Sequence, residues 1–95
     1  MRQILLQRPE AAINRNRLQA HPDWQLYRCR FDAIDLNDDS TPVAVIEVYV
    51  AADTGNSAEY LSYRMAKRYF ENSQADLIDL ATQDIVPLGR QEQTL

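Results

Sequence analysis

The chain has 95 residues and a formal net charge of −4, and its mass of 11.0 kDa suits one domain with one modest core. Hydrophobic residues make up 45% and charged residues 25%, with two glycines and four prolines, which excludes disordered and collagen-like chains. A pI near 4.8 argues against duplex binding by bulk phosphate neutralisation, so no nucleic-acid partner is expected.

The longest apolar run, Val43 to Val50, is broken by Glu47 and is too short to cross a bilayer. The opening residues carry one basic residue and a short apolar patch, Ile4 to Leu6, unlike a signal peptide. The expectation is a cytoplasmic protein with no membrane partner.

In chain order, Arg2 to Gln7 predicts a short strand. Pro9 and Glu10 suit a first helical turn, and Ala11 to Leu18 continue it with Ile13 and Leu18 inward. Pro22 stops that helix. Trp24 to Asp35 predicts a second strand, with a phase switch between Leu26 and Tyr27 that suggests a bulge. Asn37 to Pro42 reads as a turn, because Asn, Asp and Ser side chains bond back to the local backbone. A calcium loop starting at Asp35 fails at Ser40, where glycine belongs, and at Ile46, where glutamate belongs.

Val43 to Ala51 predicts a central strand, with Ile46, Val48 and Val50 on one face and Val45 and Tyr49 on the other. Asn56 and Glu59 have capping-box spacing ahead of a helix over Ser57 to Asn72. On that helix Ala58, Leu61, Met65 and Tyr69 form the inward stripe, while Tyr60, Arg64, Lys67 and Glu71 form the wet face. Tyr63, Ala66 and Phe70 extend the apolar arc beyond what one small sheet needs. Ser73 to Leu88 reads either as a short helix or as two short strands around Thr82–Asp84, and strands are favoured. Pro87 confines the last of them to an edge. A polar tail is expected from about Gly89.

The order strand, helix, strand, strand, helix, strand predicts a single α+β domain over 1–95. The plan is ferredoxin-like βαββαβ: an antiparallel sheet, first and third strands central, with two helices on one face. Its third strand lacks the glycine and cation of an RNA-recognition surface and carries Tyr49 as its sole aromatic.

Cys29 and His21 are each the sole residue of their type, too few for a zinc site, and no catalytic residue, metal or cofactor is expected. Cys29 lies in phase with Tyr27, Phe31 and Ala33 and reads as a small core hydrophobe. Arg15, Arg17, Arg28 and Arg30 are candidates for an anion-binding cluster. The structural alternative, which is preferred, sets Arg30 opposite Glu47 and Arg28 opposite Tyr49 in a hairpin, the latter as a cation–π pair. Val45, Tyr49, Tyr63 and Phe70 are candidate interface residues, because large rings without room inside a small monomer suit a contact surface. The expected function is a non-enzymatic self-associating or protein-interaction domain, a homodimer or the holder of a protein partner. The alternatives are a binder of a small anion and a cofactor-independent enzyme of the ferredoxin-like dimer type.

Overall fold

The structure, a computed structural model, describes residues 1–37, 42–72 and 78–90. The chain runs β1 (Arg2–Gln7), α1 (Ala12–Ala20), β2 (Gln25–Asp35), β3 (Pro42–Ala52), α2 (Gly55–Asn72) and β4 (Ile78–Gly89). The element order matches the expected one, but the sheet does not. Its strand order is β1-β3-β2-β4, with β1 parallel to β3 and β2 antiparallel to both its neighbours. The fold is therefore α+β with a mixed four-stranded sheet whose central pair is β2 and β3. The antiparallel, ferredoxin-like arrangement is not formed.

Two features of chain length explain the difference. Nine residues of α1 reach about 13 Å, short of the roughly 20 Å that β1 advances, so α1 cannot carry the chain back to the start of β1. The chain instead crosses the end of the sheet, β2 runs opposite to β1, and the hairpin turns β3 parallel to β1. The 12-residue β4 then finds its longest backbone partner in the 11-residue β2 rather than in the six-residue β1.

The β2–β3 register is the expected one, with Arg30 opposite Glu47, Arg28 opposite Tyr49 and Cys29 opposite Val48. Tyr27, Cys29, Phe31 and Ala33 share one face with Val50, Val48, Ile46 and Ala44, and these form the core under α2. Leu26 and Ala51 project to the second face. Both are buried all the same, because α1 crosses the sheet at that end with Leu18 inward. The two helices thus do not share one face, and the apolar phase switch at Leu26/Tyr27 reflects cover on both sides. The bulge at this level falls in β4, where Leu88 is the extra residue.

Ile13 is 46% exposed, and Asn14 takes the inward place beside Leu18. The Asn14 amide acts as a piece of strand where β1 has ended. It accepts from Ala51 N at 3.0 Å and donates to Tyr49 O at 2.8 Å and to Arg8 O at 3.0 Å. Gln7 adds a second donor to Tyr49 O at 2.9 Å.

In α2 the fully buried stripe is Ala58, Ser62, Ala66 and Phe70, one step round from the expected Ala58–Leu61–Met65–Tyr69. Alanine and serine bring the helix close to the sheet, and the Ser62 hydroxyl is satisfied by donating to Ala58 O at 2.7 Å. Leu61, Met65 and Tyr69 become the flank above β1, and Tyr63 packs edge-on to Phe31 with centroids 6.1 Å apart. Phe70 lies in the core and meets Tyr69 edge-to-face. The wide apolar arc is absorbed inside the chain at Tyr63 and Phe70, so these two rings are not left over for a contact surface. The helix cap is Thr54 rather than Asn56: its Oγ1 accepts from Ser57 N at 3.1 Å, which starts the helix at Gly55.

From Ile78 to Gly89 the chain is one strand with bulges at Gln83 and Leu88, rather than two separate strands around Thr82–Asp84; the residues at which the alternative short helix would begin lie outside the described ones. Gly89 still belongs to it. Arg90 then ties the end of α1 down, donating to the carbonyls of Leu18, His21 and Trp24 at 2.7–3.0 Å. The expected Asn37–Pro42 turn and calcium-like loop lie largely outside the described residues, as does the tail beyond Arg90. At the start of that turn Asn37 N donates to Asp35 Oδ1, the back-bonding expected of such residues.

Candidate functional site

Beyond the cover of α1, the second face of the sheet carries side chains from all four strands. Alternation sends Gln3 and Leu5 of β1, Val45, Glu47 and Tyr49 of β3, Arg28, Arg30 and Asp32 of β2, and Asp84 of β4 to this side. At its centre Arg30 Nη2 meets Glu47 Oε2 at 3.0 Å, and the Tyr49 hydroxyl donates to Glu47 Oε1 at 2.9 Å. Both oxygens of Glu47 are therefore engaged.

Burial raises the Glu47 carboxyl, but the bonds from Arg30 and Tyr49 and the two guanidinium charges outweigh it and hold it below its ordinary value. The Tyr49 hydroxyl moves up, from burial and from donating to a carboxylate. A depressed folded-state value contributes stability above the ordinary carboxyl range and loses it as the pH falls through the depressed value. Acid unfolding should therefore cost the native protein more stability than Glu47→Gln between about pH 5 and about pH 3. Parallel acid dependence of the two urea midpoints would contradict this. At neutral pH the half-exposed pair is worth only about 0.2–1 kcal/mol.

A cavity of about 740 Å³ opens over this network. It is lined by one guanidinium, Arg30, and three carboxylates, Asp32, Glu47 and Asp84. Two buried polar atoms at this face, Arg28 Nε and Asp84 Oδ1, have no hydrogen-bond partner.

No family model, curated protein or solved structure matches the chain.

Of the four arginines considered for anion binding, the fold brings Arg28 and Arg30 to one face. Arg30 is engaged by Glu47, and carboxylates outnumber cations around it. Arg15 is exposed and Arg17 half-buried on α1, and among the described residues no hydrogen bond or ion pair joins them to Arg28 or Arg30. The expected Arg28–Tyr49 cation–π contact is likewise not among the described interactions; one forms instead between Arg64 and Tyr60, 5.5 Å from the centroid. Of the four interface candidates, Val45 and Tyr49 lie on the uncovered face and are partly buried, whereas Phe70 of α2 is buried in the core and Tyr63 of α2, partly buried, packs against it.

His21 stacks on Trp24, centroids 3.8 Å apart and planes 11° from parallel, in the turn that Arg90 holds. Cys29 is buried under α2, and desolvation pushes its thiol up despite a hydrogen bond involving Ser62. A thiol reagent should label Cys29 only at the rate of global unfolding, and rapid labelling of the native protein would contradict its core placement. Among the described residues, no group of three or more His, Cys, Asp or Glu side chains is arranged to hold a metal ion. No helix there is long and apolar enough to cross a membrane.

Sequence reasoning missed Asn14, Asp84 and Arg90. Only Arg90 had a readable signal, a cation directly after the glycine that ends the last strand.

Proposed function

We propose that the chain is a non-enzymatic domain that self-associates as a two-fold dimer through the uncovered second face of the sheet. The observation that carries this reading is that, beyond α1, no element covers this face among the described residues, so that Leu5, 45% exposed, and Val45 stand beside the Arg30–Glu47 pair. A two-fold contact needs both halves of every pairing on one surface, and this face holds cations and carboxylates side by side.

Light scattering at micromolar concentration tests the proposal, with twice the 11.0 kDa chain mass as the expected result. Val45→Arg should return the protein to the single-chain mass with an unchanged circular dichroism spectrum, since Val45 points away from α2. A native protein that is monomeric at all concentrations would refute the dimer.

A second reading, a small-ligand site, rests on the cavity of about 740 Å³. Its excess of carboxylates favours a cationic ligand over the anion first expected, so a polyamine, and not phosphate, should raise the melting temperature.

A further inference from the structure

We propose that the groove between β1 and α2, together with the outer edge of β1, docks an extended partner segment that carries apolar and acidic side chains together on its groove-facing side. The two edges of the sheet differ in kind. The β4 strand carries Pro87, which cannot donate to a further strand, and two bulges, at Gln83 and Leu88, which twist it, devices that stop a sheet from accepting another strand. The outer edge of β1 has no proline or lysine, and among the described residues nothing pairs with it. Its single bulge, at Leu6, lies toward β3.

Directly above this edge lies a groove of about 460 Å³ floored by Leu6, Leu61, Met65 and Tyr69. The outer flank of α2 has no helix or strand packed against it here. The rim carries Arg64 and Arg68, and among the described residues no carboxylate lines the groove, in a chain where acids outnumber bases. Arg2 adds a third guanidinium, donating to the Tyr69 hydroxyl at 3.1 Å across the mouth of the groove.

Charge complementarity selects the occupant. A second copy paired through β1 would set two arginine rims against each other, a like-charge contact that disfavours that partner. Every second side chain of an added strand faces α2, so a segment whose α2-facing positions carry valine and glutamate in turn would pair its backbone with β1, place its valines over Leu61 and Met65, and direct its acids to Arg64 and Arg68. This surface is separate from the face proposed for self-association.

The test uses a short synthetic peptide of repeating Val-Thr-Glu-Thr, its Val-Thr-Lys-Thr counterpart and a short oligouridylate, each titrated into ¹⁵N-labelled full-length protein. The expected result is shifts of the Arg2–Gln7 amides with the valine–glutamate peptide alone. Binding should weaken as salt rises, and about tenfold in the double variant Arg64→Ala/Arg68→Ala, whose exposed side chains leave the fold intact. Unmoved β1 amides, equal binding of the lysine peptide, tighter binding of the oligouridylate, or full affinity in the double variant would each overturn the proposal.

Discussion

Replacing Asn14 with leucine is expected to lower stability by about 3 kcal/mol and the melting temperature by on the order of 15 °C. Leucine fills nearly the same space but can neither accept from Ala51 N–H nor donate to Tyr49 and Arg8 carbonyls. Ala51 is wholly buried, so its amide would have no water to turn to. Tyr49 O would keep Gln7 as a donor, which limits the loss. Asn14→Asp separates the two roles of the amide. The carboxylate still accepts from Ala51 N–H but faces two carbonyl oxygens it cannot bond, so its penalty should be at least as large and should shrink at low pH, where the protonated acid regains a donor. Urea unfolding followed by circular dichroism reads both effects. A leucine variant within about 0.5 kcal/mol of the native protein would show that water replaces the amide.

Phe31→Ala is expected to cost about 3–5 kcal/mol, the range for removing a fully buried aromatic ring. For a chain of this size total stability is roughly 5–14 kcal/mol, so the loss is a large fraction of it and the melting temperature should fall by on the order of 20 °C. Phe31 is 0% exposed on a central strand, with neighbours on both sides and α2 above, so little can collapse into the space. It would also remove the edge contact to Tyr63. Phe31→Leu keeps most of the volume and should cost under about 1.5 kcal/mol. Calorimetry on the two variants checks the contrast, and near-equal melting temperatures would contradict a tightly packed centre.

Local pattern carried the strands, the hairpin and its register. Alternation through Tyr27–Ala33 and Ala44–Val50, with two arginines and an aspartate on one strand and a glutamate on the other, leaves few pairings that bury both apolar rows and avoid setting Asp32 against Glu47. The sheet order was not legible, because it depends on how far α1 carries the chain and on which strand can satisfy a long β4. Neither is a periodicity. Asn14 was hidden for a related reason: an asparagine within a short polar helix reads as surface, and only the end of β1 beside β3 gives its amide three backbone partners. The rotation of α2 shows tertiary contact overriding the apolar wheel, since close approach favours Ala58, Ser62 and Ala66 over larger neighbours. That same rotation takes Tyr63 and Phe70 into the chain and leaves the dimer proposal resting on the other face of the sheet.

An isotope-filtered NOE experiment on an equal mixture of labelled and unlabelled protein tests that proposal most directly. The two-fold contact predicts cross-peaks between copies from the Val45 methyls, the Leu5 methyls and the Tyr49 ring. Their absence at a concentration where light scattering reports a dimer, or cross-peaks arising instead from Leu61 and Met65, would contradict it.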